Sequence, residues 1–176
     1  MQFNFRKVIG KTLPKAQGGF GLNANYKGFS LDVLFQGEGG RTGNCLNQWH
    51  WLPFENDGNI QQWMYDQRWT TANPDRNATF PRLQIGGNYL ANLVPSSYWE
   101  RDATFIRLKN LQFGYNLPSK IANKISLDKI RIFINGENLF TITDYYPNWD
   151  PEMVLSTSYG WYPLIRTWSM GINIDF

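Results

Sequence analysis

Residues 162–176 read YPLIRTWSMGINIDF. Within this stretch Trp168, Met170, Ile172, Ile174 and Phe176 alternate with Thr167, Ser169, Gly171, Asn173 and Asp175 up to the end of the chain. A period of two puts the first set on one face of a β-strand and the second on the other. A soluble domain ordinarily lets its terminus fray, and a terminal phenylalanine is wasted there. The meaning of the stretch therefore depends on what medium its apolar face meets.

Four further segments carry the same alternation. Phe20, Leu22, Ala24 and Tyr26 oppose Gly19, Gly21, Asn23 and Asn25. Phe29, Leu31, Val33 and Phe35 oppose Ser30, Asp32 and Gln36, with Leu34 out of phase. A third segment starts on Ile106 and Leu108, then changes phase to Leu111, Phe113 and Tyr115. A β-bulge near Lys109 and Asn110 would repair that phase. The fourth places Ile130, Ile132, Ile134 and Phe140 against Lys129, Arg131, Asn135, Glu137 and Thr141. The expected strands lie near 18–26, 29–37, 103–116, 128–142 and 163–176.

The connections between them alternate in length. Tyr26-Lys27-Gly28-Phe29 is a tight turn, whereas Gly37 to about Asp102 is a very long connection. Asn116 to Leu127 is short and contains Pro118, and Thr143 to about Tyr162 is longer. Loops beyond about 15 residues are uncommon in compact domains and are usually functional. Short turns at one end and long loops at the other are the pattern of an outer-membrane β-barrel. Its strands need about 9–11 residues, which these segments supply. Phe35, Tyr115, Phe140 and Phe176 fall near strand ends, where such barrels carry aromatic girdles. The same alternation also suits a soluble antiparallel sandwich, so pattern alone leaves both readings open.

Composition narrows the function classes. Aromatic residues make up 16% of the 176 positions and charged ones 18%, below the roughly 25% charged residues of ordinary soluble domains. No run approaches the roughly 18 consecutive apolar residues of a membrane-spanning helix. The opening MQFNFRKVIGKTLPK lacks the apolar core and cleavage site of a secretory signal. A net charge of +3 with dispersed basic residues does not suggest nucleic acid. Cys45 and His50 are each the only residue of their kind. Disulfides, zinc sites and His-dependent triads therefore have almost nothing to build with.

Other motifs point weakly. FQGEGGRTG lacks the Lys-Ser/Thr of a phosphate-binding loop, and its glycines miss the dinucleotide spacing. FENDGN offers Glu55, Asn56, Asp57 and Asn59 as oxygen ligands for calcium, without the first Asp and distal Glu of that motif. Asp144, Asp150 and Glu152 have the residue types of a glycosidase carboxylate pair. With Pro147 and Pro151 beside them they read better as a solvated turn. Asn77 opens a glycosylation-type triplet, and Lys120, Lys124 and Lys129 flank the short connection as a solvated rim. No catalytic constellation appears, so an enzyme is not expected, and no cofactor or metal is either. The aromatics of the long connections, Trp49, Trp51, Trp63, Tyr65, Trp69, Trp149 and Trp161, suit ligand or lid contact. They equally suit a small core inside the loops themselves.

Several blocks together resemble a known family. SYWERDATFIRLKNLQFGYNLP, KIRIFINGENLFTITDYYPNWDPE and the closing stretch are similar to the C-terminal end of the SusC/RagA family of TonB-linked outer-membrane transporters. VIGKTLPKAQGGFGLNANYKGFSLDVLFQG and RWTTANPDRNATFPRL fit the same family in the same order, so the resemblance runs from Val8 onward. It implies an all-β, up-and-down antiparallel meander forming the last five or so strands of a barrel of about 22 strands. It further implies a plug inside the barrel, a SusD-like lipoprotein lid, energy from TonB, and import of oligosaccharides or peptides across a Gram-negative outer membrane. The C-terminus would lie in the periplasm, with Gly37–Asp102 and Thr143–Tyr162 outside. Trp168, Met170, Ile172, Ile174 and Phe176 would then form the insertion signal. Five strands cannot close a barrel whose smallest examples have about eight, so residues 1–176 are expected to be the C-terminal part of a longer transporter. The alternative is a soluble, secreted, aromatic-rich β domain that binds carbohydrate. The two differ in solubility: the transporter reading predicts that the isolated chain aggregates without detergent, because one-sided strands with open edges pair with other chains. A monodisperse monomer in plain buffer, seen by size-exclusion chromatography with light scattering, would reject it.

Overall fold

The computed structural model describes residues 7–44, 60–83, 96–154 and 164–176. Its main body is a five-stranded antiparallel sheet made of β1 (Ala16–Tyr26), β2 (Phe29–Gly39), β5 (Phe105–Asn116), β6 (Lys129–Thr143) and β7 (Thr167–Asp175). These strands pair in the order β1-β2-β5-β6-β7, each beside its neighbour in the meander. A second, two-stranded ladder joins β3 (Thr42–Asn44) to β4 (Glu100–Asp102). The long connection read from Gly37 onward therefore begins later than expected and contains structure of its own, including helix α1 (Gln62–Asp66).

Pairing converts the alternation of each strand into rows that cross the sheet. One row runs Tyr26, Phe29, Tyr115, Ile132, Ile172, and the next runs Ala24, Leu31, Phe113, Ile134, Met170. The row above runs Leu22, Val33, Leu111, Gly136, Trp168, followed by Phe20, Phe35, Leu108, Phe140. Between them lie polar rows such as Asn23, Asp32, Gln112, Asn135, Ser169. Cross-strand aromatic and β-branched pairs each contribute about 0.2–1 kcal/mol. Phe29 and Tyr115 meet tilted by 34° with centroids 4.5 Å apart, and Phe35 meets Phe140 edge-on at 6.4 Å.

The apolar rows stay coherent because the phase change in β5 is absorbed locally. Leu108 faces Phe35 on β2 and Phe140 on β6, but Asn110 faces Leu34 and Glu137. Lys109 is thus an extra residue against β2, and Asn138 and Leu139 together span it on β6. Asn138 takes a left-handed backbone, φ 53°, a conformation Asn tolerates better than most residues. The bulge lies where the sequence pattern placed it. Leu34 keeps its out-of-phase position, exposed on the polar face.

Connections at one end are tight. Lys27 and Gly28 both have positive φ, 46° and 89°, as a two-residue hairpin turn matching strand twist requires. The β5–β6 link turns through helix α2 (Ser119–Ala122) and a short 3-10 segment (Asn123–Ile125), ending on Ser126 at φ 59°. Across the polar face Phe133 lies over Gly171 of β7, where a Cβ would collide with its ring. All long connections leave from the opposite end.

The core is not under the apolar rows. Phe20 is 67% exposed and Met170 83% exposed, and Ile106, Phe113, Ile132, Ile134, Trp168 and Ile172 are also exposed. Among the described residues no second layer covers that face. The buried cluster sits instead at the long-connection end, among Trp63, Met64, Phe80, Trp99, Ala103, Tyr145, Tyr146 and Val154. Both long connections contribute to it. Phe80 is 0% exposed and meets Trp63 and Trp99 edge-on at 6.0 and 5.7 Å.

Two outcomes test this architecture. Lys at position 172 should cost ~2–4 kcal/mol if the apolar rows face lipid near the midplane, against ~0–1 kcal/mol at the interfacial position 176. Folded, heat-modifiable barrel in outer-membrane fractions should drop for Ile172→Lys and persist for Asn173→Lys; equal damage from both would refute the register. A large assembly defect for Phe176→Lys, despite its small energetic cost, would mark that residue as a recognition element. In the loop core, Phe80→Ala should cost about 3–5 kcal/mol, read as earlier loss of near-ultraviolet circular dichroism on heating. The exposed Tyr65→Ala should stay within ~0.5 kcal/mol, and equal effects would contradict the assigned core.

Candidate functional site

Toward the tight-turn end the polar face carries Arg131, whose Nη2 donates to the buried Ser30 Oγ at 3.1 Å, and toward the other end the connections fold over it. There it carries a charged network around Arg107, a β5 residue 1% exposed. Its Nε donates to Thr141 Oγ1 on β6 at 2.9 Å, and its Nη2 donates to Asp150 Oδ1 at 2.7 Å. Nη1 is bonded to Glu152 Oε2, and the guanidinium lies 5.0 Å from the Phe105 ring. A guanidinium that satisfies two carboxylates at once has essentially one geometry open to it.

Asp150 and Glu152 come from the β6–β7 connection. Asp150 also accepts from the Glu152 backbone N–H at 3.0 Å and so caps the 3-10 turn Pro151–Met153. Gln36 on β2 donates to Glu152 Oε1 at 3.1 Å, and Arg41 Nη2 reaches the Glu152 carbonyl at 3.4 Å. Arg41 is itself buried and ion-paired with Glu38. The solvated turn expected around Asp150 and Glu152 is therefore corrected: the turn folds back over the wall, and its carboxylates neutralise a buried arginine. Nothing in the local sequence signals this, because the partners lie 43 and 45 residues apart.

The expected aromatic contacts separate by environment. Trp63 is a core ring, with its indole N–H donating to Gln61 Oε1 at 2.6 Å, and Trp149 packs against the same cluster. Tyr65 is exposed, with the Arg68 guanidinium 3.5 Å from its ring. Trp69 lines a cleft of about 320 Å³ with Asp75, Arg76, Arg82, Tyr98 and Trp99. Tyr98 donates to the Ala78 carbonyl at 3.0 Å. Burial pushes its phenol up to about 12, the nearby Arg101 acting in the opposite direction. Trp49, Trp51 and Trp161 lie outside the described residues, as do Cys45, His50 and the calcium-like ligands Glu55, Asn56, Asp57 and Asn59. Trp168, Met170, Ile172, Ile174 and Phe176 all stand exposed on the edge of the sheet. Among the described residues no cluster of His, Cys, Asp and Glu could hold a metal ion. No helix among them is long and apolar enough to cross a membrane, which says nothing about strands.

No family model matches the chain. Individual proteins do. TonB-dependent receptor P3 of Formosa agariphila is 33% identical over 183 residues, which is 97% of this chain and 17% of that receptor. TonB-dependent receptor P26 of the same organism is 28% identical over 185 residues, covering 96% of this chain and 18% of the receptor. Among solved structures, the RagAB peptide importer in its open-open state matches with TM-score 0.68 and 27% identity, over 99% of this chain and 19% of the matched chain. Its closed-closed state matches with TM-score 0.69 and 27% identity over the same shares. The chain thus spans less than a fifth of the length of the proteins it matches. Sequence and structure comparisons agree: over nearly its whole length this chain resembles TonB-dependent receptors of the SusC/RagA family.

Proposed function

We propose that the chain is the C-terminal barrel wall of a TonB-dependent nutrient importer in a Gram-negative outer membrane. The observation that supports this most is the uncovered apolar face. The strands present apolar rows whose side chains are mostly exposed, Leu108 and Ile130 being buried exceptions, alternating with polar rows on the other side. A bilayer outside and a wet lumen inside are the two media such a sheet needs. From the Phe35 row to the Phe29 row is six residues along β2, or about 20 Å, close to the apolar band of about 25 Å in such barrels. A soluble carbohydrate-binding module would need a second sheet over the same rows.

In this reading the remaining strands of a barrel of about 22 pair with the open edges of β1 and β7. An unclosed sheet leaves backbone groups in lipid at several kcal/mol each, so the segment does not transport alone. The long connections lie outside the cell, and α2, the Lys27-Gly28 turn and Phe176 lie at the periplasmic side. Parts of the receptor beyond this chain carry the plug and engage TonB. A SusD-like lipoprotein closes over the mouth, and the cargo is an oligosaccharide or a peptide. Similarity to a peptide importer supports the peptide end of that range. The chemistry is recognition and passage, not catalysis.

Topology is testable directly in the receptor that contains this chain. An epitope tag between Thr71 and Asn77 should be stained on intact cells, and one between Lys120 and Lys124 only after the outer membrane is permeabilised. The reverse pattern would invert the topology, and staining of neither tag in membranes, with the protein recovered in the soluble fraction, would reject the receptor reading.

A further inference from the structure

The charged network raises a question that the transporter reading leaves open: what holds the long connections at the mouth of the barrel. Among the described residues, the β6–β7 connection is held around the turn Pro151–Met153 and through Tyr145, Tyr146 and Val154. On one side Asp150 and Glu152 are bonded to Arg107, with Gln36 and Arg41 adding to Glu152. On the other, Val154 and Tyr145 press so closely on Gly43 of β3 that a Cβ there would collide with both. Tyr146 reaches across and donates its hydroxyl to the Trp99 carbonyl at 3.2 Å, and its ring lies 5.6 Å from Trp63. Trp63 and Trp99 belong to the other long connection. Of the two long connections, Arg107 is bonded among the described residues to the β6–β7 one, and the aromatic core passes its hold on to the β2–β5 connection.

Arg107 is poorly placed to do anything else. It is enclosed, and two carboxylates and a hydroxyl already engage each of its three nitrogens. A lumen-facing arginine that served a ligand would need free donors and solvent access.

We propose that Arg107 is a positioning residue that pins 144–154 and, through the aromatic core, 60–83 to the inner wall as a single unit, so that these two segments do not open independently of each other or of the barrel. This rests on the receptor reading above. It implies that a lid closing over the mouth closes against a fixed surface, and that its moving parts lie elsewhere. An ion pair suits such a pin, because one guanidinium gripping two carboxylates selects one seating of the turn.

The experiment is hydrogen–deuterium exchange on the full receptor, purified in detergent, with heat modifiability recorded for each variant as the sign of a folded barrel. Arg107→Met should keep the folded band while exchange accelerates at least tenfold in both 144–154 and 60–83. Arg107→Lys should restore part of the protection. Asp150→Asn combined with Glu152→Gln removes the same pin from the loop side and should reproduce Arg107→Met, so a folding failure at position 107 does not spare the proposal. Arg131→Met, on the same face near the tight turns, should leave both segments unchanged. Unchanged exchange in the pin variants would overturn the proposal, and so would acceleration confined to 144–154. A wild-type protein with no heat-modifiable form would instead overturn the receptor reading, and the pin would fall with it.

Discussion

A strand in this sheet carries one apolar and one polar face, and it can do so only while its side chains keep their phase. Shifting any pairing by one residue would turn a whole apolar row inward and a polar row outward. The rest of the architecture follows from that constraint. The Lys27-Gly28 turn fixes the β1–β2 register, and the bulge at Lys109 absorbs the phase change in β5. The left-handed Asn138 carries the same correction into β6. With phase secured, the sheet needs no core beneath its apolar rows, and the protein's interior forms instead where the long connections gather.

The wall was largely legible in the sequence because its determinants are local. Alternation shows in each segment, and the break between Leu108 and Leu111 shows as a slip in that alternation. The short and long connections then set which end is which. The resemblance blocks cover these same strands and also reach into the long connections, as RWTTANPDRNATFPRL does. Strand ends were less legible: β2 runs to Gly39, and β7 begins only at Thr167. Tertiary pairing, and not residue preference, decides where a ladder stops.

The loop layer was legible in composition and opaque in assignment. Abundant aromatics announced a cluster of rings, but a ring that packs and a ring that contacts a ligand use the same residues. Only the fold separates Trp63, which is inside the cluster, from Tyr65, two positions away and exposed. The Arg107 network was hidden for a different reason. An arginine on the polar face of a strand carries no local mark of burial, and Asp150 and Glu152 beside prolines read as a turn in water. What joins them is a connection folding back over the wall, a long-range event that leaves no periodic trace.

Phe133 over Gly171 has a consequence for how the last strand is selected. Alternation guards against a slip of one residue but is blind to a slip of two, which returns every side chain to its proper face. A slip of two between β6 and β7 would bring Phe133 opposite Ser169 or Asn173, whose Cβ atoms occupy the space the ring needs. The glycine is therefore a notch and the ring its key. As β7 zips onto β6, this one pair proofreads the even-numbered errors that the two-faced pattern passes unchecked.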